Sequence, residues 1–196
     1  MASEMSGAAT DRREQILNVA LTAFARSGYH NTSMNDVADQ MGVTKPVLYQ
    51  YFDSKRALYI ELLEHVGRSL VGYVTTEAAA AGDDGRAKTM RGMVAYFTWV
   101  SNNQDAFSLI FESSSRVDEE FADIVKQFED AAAAAIAPLI TAQVSADNQR
   151  TFALGLVGMA EAVSRHLIAE HVNFDPVAMG NAIGGLAWAG LRSIGD

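Results

Sequence analysis

Residues 42–55 read GVTKPVLYQYFDSK, with two lysines, two tyrosines, a proline and two hydroxyl residues on one short piece of chain. Ammonium groups, phenols and hydroxyls at this spacing suit a polyanion whose phosphate oxygens accept hydrogen bonds. The competing reading makes the rings core and the lysines ordinary surface. Other chemistry finds less support. Cysteine is absent, which excludes a thiolate nucleophile, a disulfide framework and cysteine-bound zinc. His166 and His171 stand five residues apart, the wrong spacing for two ligands on one helical face, so no metal site is expected. Glu161 and Arg165, like His166 and Glu170, stand four apart and read as helix pairs. No glycine-rich phosphate loop and no carboxylate–histidine arrangement of recognisable spacing occurs. The chain is therefore expected to be no enzyme and to need no cofactor.

The elements that must position residues 42–55 are helices. Prolines occur only at 46, 138 and 176, β-branched residues do not alternate, and 3.6-residue periodicity runs through nearly the whole chain, so the fold class is all-α. A first helix is expected from Asp11, with Ile16, Ala20, Ala23 and Phe24 on its inner face and Gly28 at its end. Thr32 or Ser33 caps a second helix, with Asp36 in its first turn. Gly42 permits a tight turn. Thr44 caps a third helix, with Pro46 in its first turn, where a missing N–H costs nothing. Ser54 or Asp53 then starts a long helix from Lys55 to about Ala80. Further helices are expected from about residue 87 to 102, 118 to 141 and 147 to 171, and from Pro176 onward.

Residues 33–52 thus read as helix, tight turn, helix, with Leu48 packing back on the first. This is helix-turn-helix spacing, in which the second helix enters the major groove of DNA. Thr32, Ser33 and Thr44 lie at helix N-termini, where free N–H groups favour phosphate. Tyr49, Tyr51 and Lys55 supply donors from the far end, and Lys45 is placed to reach a guanine edge. Charge is divided accordingly. Up to residue 56 the chain has six basic and six acidic residues, so the net charge of −9 lies wholly beyond it. The first residues lack the apolar stretch of a secretion signal, and the apolar runs near 152–160 and 182–191 are shorter than a bilayer requires. A cytoplasmic location with no membrane partner is the expectation.

The stretch ILNVALTAFARSGYHNTSMNDVADQMGVTKPVLYQYFDSKRALYIELL closely resembles the DNA-binding domain of the TetR family of transcriptional repressors, most specifically in GYHNTSMNDVADQMGVT and LYQYFDSKRAL. The resemblance implies a flexible N-terminus over 1–10, a helix-turn-helix domain over 11–56, and an effector-binding and dimerisation domain over 57–196. It implies backbone contacts to an operator from Thr32, Ser33, Thr44, Tyr49, Tyr51 and Lys55. Lys45, Pro46, Val47 and Gln50 would face bases. The partners implied are a palindromic double-stranded DNA operator, a second copy of the chain and a small effector. The alternative is a DNA-binding regulator controlled by a protein partner.

The remainder of the sequence offers support of its own. Gly155, Gly158, Gly180, Gly184, Gly185 and Gly190 sit within the last two long helices, where each costs about 1 kcal/mol relative to Ala. Small faces that let helices approach would justify them, and a homodimer built mainly on residues 147–193 is the expectation, close packing inside one subunit being the competing one. For the effector, Met93, Phe97, Phe107, Ile110, Phe111, Phe121, Val125, Phe128, Met159 and Val163 suit the wall of one adaptable apolar cavity, although such a stripe is also what a plain core looks like. An apolar or amphipathic ligand fits this composition. Glu112 and Ser113 could orient it.

Overall fold

The computed structural model describes residues 2–111, 118–140 and 145–193, with side chains from residue 12 onward. Every regular element among them is a helix. α1 spans Ala2–Asn31, α2 Met34–Met41 and α3 Lys45–Tyr49. α4 spans Lys55–Ala79, α5 Gly85–Asn102 and α6 Gln104–Phe111. α7 spans Glu119–Ile136 and runs into a 3-10 turn over Ala137–Leu139; α8 spans Ala146–Ala169 and α9 Pro176–Leu191.

Local chemistry explains most of the boundaries. α1 starts at Ala2 and not at Asp11, because residues 2–10 hold three alanines and no proline. Its break falls at Gly28, with φ 74° and ψ 165°, and one further turn follows to Asn31. At α2 the Ser33 hydroxyl accepts from the Asp36 N–H at 3.2 Å, and the Ser33 N–H donates to the Asp36 carboxylate at 2.7 Å. This capping box satisfies two orphan donors reciprocally. Gly42 ends α2 at φ 68° and ψ 30°. There the Gly42 N–H donates to the Asp39 carbonyl and the Val43 N–H to the Ala38 carbonyl, a paired closure that needs the left-handed conformation glycine adopts without strain. α3 is shorter than expected. Beyond Tyr49 the N–H groups of Gln50 and Tyr51 bond three residues back, to Val47 and Leu48, which tightens the turn and ends the helix. Leu48, fully buried, joins Ile16, Ala20, Phe24, Val37 and Ala38 in one apolar cluster.

α4 carries this cluster into the rest of the molecule. Ser54 caps it by accepting from the Ala57 N–H at 3.0 Å. Leu58, Leu62, Val66, Leu70 and Val74 bury a stripe at four-residue spacing along it. The helix passes residues 56 and 57 without interruption, so the DNA-reading part and the larger helical part share one rigid element.

α9 lies tight on α5. A Cβ on Gly180 would sit 2.5 Å from the Val94 Cα, and one on Gly184 3.1 Å from the Met90 sulfur. These two glycines serve packing within the chain, which corrects their assignment to a contact between copies. Gly155, Gly158, Gly185 and Gly190 have nothing within 4 Å. α8 is the one helix among the described residues long and apolar enough to cross a membrane. Counting only uninterrupted apolar runs missed it, because Glu161 and Arg165 divide the run. They pair with each other at 3.2 Å.

Candidate functional site

The candidate DNA-reading surface lies on α2 and α3. Thr44, Lys45, Pro46, Tyr49 and Gln50 are exposed, and Val47 and Tyr51 are half-buried. Thr44 makes no side-chain cap bond, so its hydroxyl is open at the α3 N-terminus. The Lys45 ammonium lies 5.7 Å from the Tyr49 ring centre, one turn on. Two of the sequence-derived phosphate donors, Thr32 and Lys55, are engaged inside the protein, while the exposed Ser33 hydroxyl only accepts and keeps its O–H to donate. Thr32 is buried, and its hydroxyl donates to the carbonyls of Gly28 at 2.8 Å and Ala23 at 3.2 Å. This is a correction: the hydroxyl closes the end of α1 and does not face outward. The Ser33 hydroxyl is held in the capping box. That box sets the Asp36 carboxylate at the α2 N-terminus, where its bonds to Ser33 lower its pKa and its charge repels phosphate. The Lys55 ammonium donates to the Tyr29 carbonyl at 2.8 Å and sits 4.4 Å from the Tyr29 ring centre. Lys55 therefore staples α4 to the end of α1, and its expected role as a free phosphate donor is corrected.

Two arginines that the sequence did not single out complete this region. Arg13 pairs with Glu61, donates to the Tyr51 carbonyl at 2.8 Å and lies 4.3 Å from the Phe52 ring centre. It joins α1, the turn after α3 and α4. Arg56 pairs with Asp118 at 3.0 Å and with Glu120, tying the start of α4 to the start of α7. The Asp118 carboxyl is held below its ordinary pKa by that guanidinium. Beneath the pair, the Phe121 ring packs 5.0 Å from Tyr29 and 4.8 Å from Tyr59. Phe121 thus joins the two parts of the chain, and its assignment to the effector wall is corrected.

A partly open apolar cavity of about 80 Å³ lies further along α4. α4 contributes Leu70, Val71, Val74, Thr75 and Ala78; α5 contributes Lys88, Thr89, Gly92, Met93 and Tyr96. Phe111, Phe128, Ala132, Ile136 and Ile140 close one side, and Leu156, Val157, Ala160 and Glu161 on α8 close another. Of the residues proposed from the sequence for an effector wall, Met93, Phe111 and Phe128 line this cavity. Phe97, Phe107, Ile110 and Val125 are instead buried core, while Met159 and Val163 pack against that core outside the wall. Helical period alone did not separate cavity residues from core residues, since both share one apolar face. The α4 residues were missed, although Val71 and Thr75 broaden its apolar stripe at this point. Glu112 and Ser113 lie outside the described residues. No group of three or more His, Asp or Glu side chains that could hold a metal occurs among the described residues.

Two independent family descriptions cover this arrangement. Residues 16–62 match "Bacterial regulatory proteins, tetR family", and residues 86–186 match "Tetracyclin repressor-like, C-terminal domain". The chain belongs to the TetR family. It is 32% identical to the HTH-type transcriptional activator FasR of Mycolicibacterium smegmatis, over 94% of this chain and 84% of that protein. The TetR-like regulator from Rhodococcus sp. RHA1 superposes with a TM-score of 0.73 at 25% identity, over 92% of this chain and 96% of the other. The fold is also that of FadR from Bacillus subtilis, solved in complex with stearoyl-CoA, with a TM-score of 0.74 at 16% identity, over 90% and 98% of the two chains. As a TetR-family member the chain is a DNA-binding transcriptional regulator and not an enzyme.

Proposed function

We propose that this TetR-family chain is a ligand-responsive repressor that binds a palindromic operator as a homodimer and releases it when an apolar or amphipathic small molecule occupies the cavity. The observation that carries this reading is that α4 holds both ends of the device. Lys55 at its start staples α1, and Leu70 to Ala78 near its end wall the cavity. Ligand pockets usually have about 300–1,000 Å³, so an occupant of ordinary size must push the walls of this smaller cavity apart. Displacing α4 there changes the separation of two α3 helices across a dimer. A hundredfold loss of operator affinity requires the ligand to prefer the non-binding state by about 2.7 kcal/mol.

Supporting the dimer, α8 exposes Leu154, Gly155, Gly158 and Ala162, and α9 exposes Gly185 and Leu186, all small or apolar. A two-fold axis through these residues matches the two-fold symmetry of a palindrome, whose half-sites lie about 34–36 Å apart. FadR's stearoyl-CoA is an acyl thioester, and its acyl portion is the kind of group this wall accepts. FasR is named an activator; whether operator binding blocks or assists transcription depends on where the operator lies, and here repression is proposed. A cytoplasmic location fits the DNA-reading function.

The test is operator release. Genomic fragments captured by the purified dimer give the operator, and a panel of alkyl amphiphiles, sterol-like compounds, sugars and nucleotides is then scored for release. The expected hits are apolar or amphipathic. Release by sugars or nucleotides alone rejects the cavity as the effector site.

A further inference from the structure

The cavity has one polar corner. Tyr96 and Glu161 belong to its wall, and Ser164, one helical turn beyond Glu161, is fully buried beside them. Neither the Tyr96 phenol nor the Ser164 hydroxyl has a hydrogen-bond partner in the chain. The two meet only in a poorly formed contact: burial pushes the Tyr96 pKa well above its ordinary value, and weak hydrogen bonding with the Ser164 hydroxyl partly opposes that rise. Buried hydroxyls without partners are rare because desolvation is left uncompensated. Phe and Ala would fill the same two positions with no unpaired group. Packing therefore does not explain their presence, whereas a polar atom supplied from the cavity does.

The charge at this corner restricts what that atom is. The Glu161 carboxylate is paired with the half-exposed Arg165 at 3.2 Å. A ligand carboxylate placed here meets like charge in a poorly solvated space. A cationic head gains little from a carboxylate already compensated. An uncharged hydroxyl fits both demands, since it accepts from the Tyr96 phenol and donates to the Glu161 carboxylate. The cation of the wall, Lys88, lies eight residues before Tyr96 on α5, roughly 12 Å along the helix axis, and so does not neutralise the corner.

We propose that the ligand's buried end is an uncharged hydroxyl on an apolar skeleton, anchored by Tyr96 with Ser164 behind it and Glu161 as acceptor. This rests on the cavity being the effector site. Binding of 1-dodecanol, dodecanoate and dodecyltrimethylammonium, all below their aggregation limits, tests it by calorimetry on the dimer and its Tyr96→Phe and Ser164→Ala variants. The alcohol should bind tightest. Tyr96→Phe should weaken it about tenfold, the size expected for one buried hydrogen bond, and change the two charged chains by less than about twofold. The empty Tyr96→Phe protein should melt no lower than the parent, because it loses a hydroxyl that makes no well-formed structural bond. Tightest binding by the carboxylate or the ammonium, or equal loss across all three heads, overturns the proposal while leaving the cavity as effector site. No binding of any of the three to the parent protein overturns both.

Discussion

The two ends of α4 differ in how completely their polar groups are satisfied. Around its start, Thr32, Ser33, Lys55, Arg13 and Arg56 are all bonded within the chain, and the aromatic cluster of Phe24, Tyr29, Tyr59 and Phe121 is tightly packed. Around its far end the helix walls a void, and the hydroxyls of Tyr96 and Ser164 lack partners. A closed end suits a surface that must present Thr44, Lys45 and Gln50 to a fixed shape. An incomplete end suits a site completed by a ligand. It also leaves few free cations at the DNA surface, since Lys55, Arg13 and Arg56 are internally engaged.

The largest expected effect comes from opening the closed end. Leu48→Ala removes a fully buried side chain and should cost about 2–5 kcal/mol, read by denaturant unfolding, with loss of operator binding. A cost below about 1 kcal/mol would show that this end is looser than its burial implies. Next come the glycines of α9. Gly180→Val drives a side chain into the Val94 backbone and should destabilise the subunit by about 1–3 kcal/mol. Gly185→Val meets nothing within 4 Å and should leave the subunit fold unchanged while weakening the dimer in sedimentation. The reverse pattern would exchange the inner and outer faces assigned to α9.

At the open end, enlargement should be tolerated. Ala132→Leu points into the void, should change stability by no more than about 1 kcal/mol, and should abolish release of operator by alkyl ligands. Retained release would separate the void from the effector site. The smallest effect is electrostatic. Asp118 has a lowered pKa because Arg56 stabilises its ionised form, so its contribution is present above the ordinary carboxylate range and is lost as pH falls through the folded value. Melting temperatures of the parent and Asp118→Asn should differ at neutral pH and converge in acid. A gap that persists in acid would mean that the Arg56 pair contributes nothing of this kind.

Local sequence determined the frame of this protein. Ser33 with Asp36, Gly42, Pro46 and Ser54 set helix ends through contacts only a few residues apart, and four-residue spacing along α4 set which stripe is buried. Such signals act over one or two turns and are legible without the rest of the chain. They located the helix-turn-helix, and they put Met93, Phe111 and Phe128 near a cavity. Tertiary structure alone decided the remainder. Whether Phe97 or Tyr96 meets the void, whether Thr32 and Lys55 turn inward, and whether Gly184 or Gly185 packs on α5 all depend on helix rotation by a fraction of a turn. That rotation is fixed by long-range close packing, as where Gly180 admits the Val94 backbone, and no spacing within a single helix encodes it.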